Sequence, residues 1–221
     1  MTTPSTGIPA PPKPLLRGVL HEVAPFVAAI AGAILFFRAS GARARAGALV
    51  YGISLVSLFA VSAIYHRKNW SERLRAVWRR LDHSAIFLLI AGTYTPLSFL
   101  LGSRLGWIFL GIVWAGALLG IVMSIAWVKA PKALVAIVCV LLGWAALPRL
   151  PALKAALGTG AVALLAAGGI VYSLGAAVYA LRRPDPFPSV FGYHEIFHAL
   201  VIVAAGFHFA AVARAVSALS A

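Results

Sequence analysis

Long apolar segments, separated by short polar breaks, follow one another along almost the whole chain. Seven of them approach the roughly 20 apolar residues that a helix needs to cross the hydrocarbon core of a bilayer. They cover residues 21–38, 46–66, 82–101, 105–127, 132–148, 159–181 and 194–214. Because the breaks are short, consecutive segments are expected to be antiparallel neighbours. The pattern therefore predicts an all-α membrane protein, a bundle of seven transmembrane helices.

The composition agrees with a chain that lies mostly inside a membrane. Of its 221 residues, 62% are hydrophobic and only 11% are charged, whereas soluble domains carry about 25% charged residues. No polar stretch is long enough to fold alone, so residues 19–221 are expected to form a single transmembrane domain. Residues 1–18 are polar and proline-rich and are expected to form a disordered tail. They lack the form of a cleaved signal peptide.

The net charge of +14 does not indicate nucleic-acid binding, because the basic residues lie in short breaks between apolar segments. In membrane proteins such residues set the orientation and contact anionic lipids. One side of the predicted bundle carries twelve of them: Lys13, Arg17, Arg67, Lys68, Arg73, Arg75, Arg79, Arg80, Lys129, Lys132, Arg182 and Arg183. The other side carries seven: Arg38, Arg43, Arg45, Arg104, Arg149, Lys154 and Arg214. The positive-inside rule then predicts a cytoplasmic N-terminus.

Polar residues lie at the ends of three segments, and this topology places all three ends on one side of the membrane. The second segment ends in SAIYH, with Ser62 and His66, and the third begins LDHSAIF, with Asp82. The seventh begins HEIFH, with His194 and His198. Residues four apart share one face of a helix, so the last two imidazoles can point to one place. Ionisable groups inside membrane segments are costly and are functional by default.

Two histidines on one helix and a third on another fit a zinc site. Catalytic zinc typically has three protein ligands, here His66, His194 and His198, and one water whose pKa falls towards about 7. Asp82 is then the carboxylate that holds this water and takes its proton, and Ser62 is expected to orient His66. Chance spacing of the histidines stays open as an alternative. So does an ordinary helix N-cap or first-turn role for Asp82.

The string HEIFH also matches the HExxH motif of soluble metalloproteases, in which the glutamate is the general base. Glu195 is therefore an alternative to Asp82, although no matching third ligand follows. His208 lies about 15 Å further along the same helix than the motif, at a different depth. His21, His83 and His208 are expected to be ordinary residues of the membrane interface.

The motifs SAIYH, LDHSAIFLLIAGTYTP and HEIFHALVIVAAGFHF resemble those of the bacterial haemolysin III-like proteins, members of the progestin and adipoQ receptor (PAQR) superfamily. The resemblance covers the second to the seventh segment, and it implies a seven-helix fold with a cytoplasmic N-terminus. It further implies a zinc ion bound by His66, His194 and His198. Asp82 is implied to hold the zinc-bound water, with Ser62 in a supporting role, and is preferred on this basis to Glu195.

The resemblance leaves three functions open. The first is a zinc-dependent, ceramidase-like hydrolase of lipid amide or ester bonds, with membrane lipids as substrates, in the plasma (inner) membrane of a bacterium. The second is a haemolytic, pore-forming protein, although the chain has no amphipathic segment suited to switch from a soluble to an inserted form. The third is a receptor or sensor with a structural zinc. A retinal protein is excluded because the seventh segment has no lysine.

Overall fold

The computed structural model describes residues 13–102, 104–128 and 130–221, and within these ranges all regular structure is helical. The α-helices are α1 (Val19–Arg38), α2 (Ala42–Arg67), α3 (Glu72–Leu101), α4 (Arg104–Ala126), α5 (Lys132–Gly143), α6 (Leu150–Leu181) and α7 (Tyr193–Ser220). A short 3-10 helix, Leu147–Arg149, connects α5 to α6.

Six segments of the described chain are long and apolar enough to cross a membrane: α1, α2, α3, α4, the run Lys132–Leu181 and α7. The fold is therefore that of an all-α, multi-pass membrane protein. The count differs from the seven predicted segments because Lys132–Leu181 contains α5, the 3-10 helix and α6 in one continuous run. The 12 residues of α5 reach only about 18 Å, which is shorter than the roughly 30 Å of a hydrocarbon core.

α3 begins ten residues before the predicted segment 82–101. Its first part, ERLRAVWRR, is too charged for a spanning segment. The same part is rich in Arg, Ala, Leu and Glu, which have high helix propensity. Asp82 therefore lies about three turns inside α3. The interpretation of Asp82 as an N-cap or first-turn acid is wrong.

The helices that carry the predicted polar motifs pack against one another. α2 contacts α3, both contact α7, and α1 covers α2 and α7, while α6 lies between α7 and α5. The approach of α2 to α3 depends on Gly92, because a Cβ at this position would lie only 2.7 Å from Cβ of Ser54. This packing brings the end of α2, the third turn of α3 and the start of α7 to one depth of the bundle.

Of the predicted disordered tail, residues 1–18, residues 1–12 lie outside the described residues. Residues 13–18, here called the strap, form a turn before α1. The backbone amides of Leu15 and Leu16 donate hydrogen bonds of 3.0 and 3.1 Å to carbonyl oxygens in the loop between α6 and α7. The strap therefore lies across the end of the bundle at which α7 begins.

Candidate metal centre

Three histidines from two helices point to one place in the bundle. His66 is in the last turn of α2, and His194 and His198 occupy one face of the first two turns of α7. One nitrogen of each ring lies within 4.8 Å of the other two, and the Nε2 atoms of His66 and His194 are 3.2 Å apart. His194 and His198 are buried. The structure thus brings together the three residues that the sequence motifs single out.

The chemistry of the three side chains, and the spacing of His66 and His194, fit a zinc ion. Two imidazole nitrogens that bind one tetrahedral zinc at about 2.0–2.1 Å lie about 3.3 Å apart. The distance of 3.2 Å between His66 and His194 agrees with this separation. Three neutral imidazole ligands also leave one coordination position for a water or a substrate, as in catalytic zinc sites.

Asp82 is the acidic residue that lines the cavity beside the cluster, among the described residues. Its Oδ2 atom lies 3.8 Å from Nε2 of His66, which is too long for a direct hydrogen bond. The residue lines the same cavity as the three histidines. Its carboxylate is therefore placed to exchange a proton with a molecule bound beside the histidines.

Ser62 is paired with a fourth histidine rather than with His66. Its Oγ atom lies 3.0 Å from Nδ1 of His21, and the ring of His21 stacks on His198 with centroids 4.0 Å apart and planes inclined by 2°. In the described part of the chain Ser62 makes no hydrogen bond to His66, so the expected direct support does not take that form. Ser62 instead forms a hydrogen bond with the carboxylate of Asp82, and it reaches His198 through His21.

The prediction that His21 and His208 are ordinary interfacial residues is wrong. His21 is only 2% exposed and lies in the first turn of α1. His208 lies deeper, with Nε2 3.2 Å from the carbonyl oxygen of Leu165. Neither has an i, i+4 histidine partner in sequence, so spacing alone gave no sign of a site. For His208 the available signal was a lone polar side chain among apolar neighbours.

Glu195, the alternative base, is occupied in holding the start of α7. Its Oε1 atom forms an ion pair of 2.7 Å with Nε of Arg17 in the strap. Its Oε2 atom accepts a hydrogen bond of 2.8 Å from the backbone N–H of Gly192. Glu195 does not line the cavity that contains Asp82 and the histidines. This geometry gives Glu195 a structural role and leaves Asp82 as the carboxylate beside the cluster.

A cavity of about 450 Å³ opens beside the histidines, between α2, α3, α5, α6 and α7. This volume is in the range of small-molecule binding sites, about 300–1,000 Å³. Lys and Arg side chains line one end, and the other end reaches His208 and Leu165. Between them the wall is largely apolar and aromatic, with side chains such as Ile86, Tyr94 and Val201. The cavity is therefore suited to a molecule with a polar end and a long apolar part.

Comparison with known proteins finds a family model described as Haemolysin-III related, which matches residues 10–209. The chain is 37% identical over 156 residues to the Hemolysin-3 homolog of Bacillus subtilis (strain 168), covering 69% of each chain. It is 33% identical over 192 residues to Hemolysin-3 of Bacillus cereus, covering 85% of this chain and 84% of the relative. It is 28% identical over 198 residues to the Monocyte to macrophage differentiation factor of Homo sapiens, covering 84% and 77%. All residues of the candidate metal centre lie inside the range that the family model matches.

Proposed function

We propose that this chain, which belongs to the haemolysin III-related (PAQR) family of multi-pass membrane proteins, is a zinc-dependent hydrolase of lipid amide or ester bonds. The observation that carries the proposal is the cluster of His66, His194 and His198, with Asp82 beside it, in the wall of a cavity inside an apolar bundle. A purely structural zinc site would not require a carboxylate that faces a cavity of this size.

The proposed reaction adds water across the bond between the acyl carbon and its nitrogen or oxygen. When bound, the metal supplies a Lewis acid for the carbonyl oxygen and a nucleophilic water at neutral pH. Asp82 takes a proton from the attacking water and returns it to the departing amine or alcohol. The three histidines hold their positions through the packing of α2 against α7. His21 fixes the ring plane of His198 by stacking on it.

Membrane lipids are the proposed substrate class. The cavity wall is largely apolar, and the helices around it expose large apolar side chains to the surrounding lipid, among them Ile53, Leu141 and Leu174. A lipid can therefore place its acyl part in the cavity and its scissile carbonyl beside the histidines. Hydrolysis of this kind is ceramidase-like where the bond is an amide.

The proposed topology has seven crossings, a cytoplasmic N-terminus and a location in the inner membrane of a bacterium. The seven crossings are supported by Lys132, at the start of α5, whose Nζ lies 4.7 Å from the ring centroid of Tyr179 near the end of α6. The chain between them therefore leaves one face of the bundle and returns to it. The excess of basic residues at that face supports its cytoplasmic location, and two Bacillus relatives support the bacterial membrane.

The metal content of detergent-purified protein, measured by elemental mass spectrometry, tests the site. We expect about one zinc per chain in the wild type and its loss in His66→Ala and His198→Ala. Asp82→Asn is expected to keep the metal, because its side chain is not one of the three nitrogen ligands. His208→Ala is the matched control, a histidine of the same cavity at another depth, and it is expected to keep the metal as well.

Release of fatty acid from labelled lipid amides and esters tests the reaction. Asp82→Asn is expected to lower the rate by about 10²–10⁴-fold, the usual contribution of a general base, while the metal stays bound. Wild-type protein without metal under any preparation would contradict the zinc site. Metal-loaded protein that cleaves neither class of bond would contradict the hydrolase and leave the metal centre intact.

A further inference from the structure

The cavity is lined at one end by six basic side chains, here called the basic mouth: Lys13, Arg17, Lys68, Arg75, Arg79 and Lys132. Asp82, beside the histidines, is the one acidic residue among the described residues that line this cavity. Such an excess of one sign of charge at the entrance of an apolar cavity concentrates the opposite charge there.

Most cations of the basic mouth have no carboxylate partner. Arg17 pairs with Glu195, but Arg75 and Arg79 have no acidic group within salt-bridge distance in the described part of the chain. Lys13 donates to the carbonyl oxygen of Lys68 (3.0 Å) and to Oδ1 of Asn69 (3.2 Å), which are both neutral acceptors. The positive charge of the mouth is therefore not neutralised by the protein itself.

The cations of the basic mouth lie close enough together to affect Lys13. Its partial burial, followed by the positive charges of Arg75, Arg17 and Arg67, lowers the pKa of Lys13 below its ordinary value. Arg75 and Arg79 are four residues apart in α3, so they present their guanidinium groups on one face of the helix, towards the cavity. Two neighbouring guanidinium groups can hold a phosphate or carboxylate through paired, charge-assisted hydrogen bonds.

We infer that the molecule accepted by this cavity is an anionic amphiphile, with a phosphate or carboxylate group held in the basic mouth by Arg75 and Arg79 and an acyl chain inside the bundle. The inference names the substrate class of the proposed hydrolase and rests on it in that respect. The anion lies at the same end of the cavity as the three histidines, so its binding places the adjoining part of the acyl chain beside them. Neutral lipids lack the group that the mouth recognises.

The test uses dodecyl phosphate as the probe and full-length protein in nanodiscs of phosphatidylcholine, which is zwitterionic. Binding is followed by the fluorescence of Trp70 and Trp144, which both line the cavity. The variant R75Q/R79Q removes two of the charges of the mouth that have no carboxylate partner among the described residues. The matched control, R73Q/R80Q, removes two charges from the same part of α3 at positions that do not line the cavity.

We expect R75Q/R79Q to bind dodecyl phosphate at least about tenfold more weakly than the wild type, because charge-assisted hydrogen bonds are lost. R73Q/R80Q is expected to stay within about twofold of the wild type. Dodecylphosphocholine, which has the same chain and no net charge, is expected to bind more weakly than dodecyl phosphate to the wild type only. Equal losses in the two double variants would overturn the inference, since they would show attraction by the general surface charge.

Titration with inorganic phosphate shows whether the basic mouth binds a free anion or the anionic group of an amphiphile. Binding of inorganic phosphate as tight as that of dodecyl phosphate would overturn the amphiphile. The titration is repeated with Asp82→Asn, in which the proposed chemistry is removed. Probe binding that survives in this variant while all lipid hydrolysis is absent from the wild type would retain the anion site and reject the hydrolase. Hydrolysis of neutral lipids with no selective binding of dodecyl phosphate would retain the hydrolase and reject the anion site.

Discussion

His21 of α1 and His198 of α7 lie face to face, with ring centroids 4.0 Å apart and planes inclined by only 2°. The Nδ1 atom of His21 is held by the hydroxyl of Ser62, and its ring edge packs on Phe59. The ring of His198 thereby packs against His21 of α1 and also contacts the ring of His66. A residue that is not itself a proposed ligand thus fixes the orientation of one ligand.

Replacement of His21 tests this positioning role. His21→Ala removes the stacked ring, so His198 gains rotational freedom, and we expect zinc affinity to fall by about 10–100-fold, as for other partners of metal ligands. His21→Phe keeps an aromatic ring against His198 and loses the polar contacts of the imidazole, among them the hydrogen bond to Ser62. Its zinc affinity is expected to lie between those of the wild type and His21→Ala. Competition with a chromophoric chelator measures the three affinities.

A reduced thermal stability of His21→Ala with unchanged zinc affinity would show that the stacking serves the fold alone. His83→Ala is a suitable control, because His83 also lines the cavity but makes no ring contact with the cluster. It is expected to bind zinc as the wild type does.

The ion pair between Arg17 and Glu195 is expected to stabilise the docked strap. Glu195 is 1% exposed and Arg17 is 21% exposed. Arg17→Gln therefore leaves a buried carboxylate without its cation and is expected to cost about 3 kcal/mol. Glu195→Gln is expected to cost less, because the guanidinium is partly solvated and the new amide oxygen can still accept from Gly192. Thermal unfolding in detergent, monitored by circular dichroism, shows which of the two variants is less stable.

The pair of Arg67 with Glu22 is the control for this prediction. Its distance is 2.8 Å, close to that of the first pair, but its side chains are 40% and 44% exposed. Arg67→Gln is therefore expected to cost less than about 1 kcal/mol. Similar losses for Arg17→Gln and Arg67→Gln would contradict a special role for the buried pair.

Apolar length alone was enough to predict the helices that are apolar throughout. The predicted segments 21–38 and 105–127 agree with α1 and α4 within two residues at either end. The start of α3 was missed because its first ten residues are highly charged although they are helical. A hydropathy pattern does not detect a polar helix. α5 was predicted too long because the apolar run 132–148 continues past Gly143, where α5 ends, through a turn and into the 3-10 helix.

The candidate site was predictable in part for a similar reason. His194 and His198 are placed together by the period of a single helix, which is a local property of the sequence. The meeting of His66 with them requires α2 and α7 to be neighbours, which the family resemblance supplied and periodicity did not. The stack of His21 on His198 and the ion pair of Arg17 are contacts between distant parts of the chain. No local pattern encodes them.

The seven proposed crossings lead to a labelling pattern that six crossings would not give. In a chain with Cys139→Ala, single cysteines at Ser71, Lys154 and Arg183 replace exposed side chains. We expect Lys154→Cys to react with a membrane-impermeant maleimide in intact cells. Ser71→Cys and Arg183→Cys are expected to react only after the cells are opened. Labelling of Lys154→Cys and Arg183→Cys from one and the same side would contradict the path proposed for α5 and α6.

The close approach of α3 and α4 at Gly120 is expected to be sensitive to a single methyl group. A Cβ at this position would collide with the ring of Phe87, which is fully buried, so Gly120→Ala is expected to cost about 1–3 kcal/mol through overpacking. Gly111, in the same helix, has open space around its Cα. Gly111→Ala is expected to be neutral or stabilising, because alanine has the higher helix propensity. Thermal unfolding of the two variants in detergent measures the difference, and equal stabilities would show that α4 can move away from α3 at no cost.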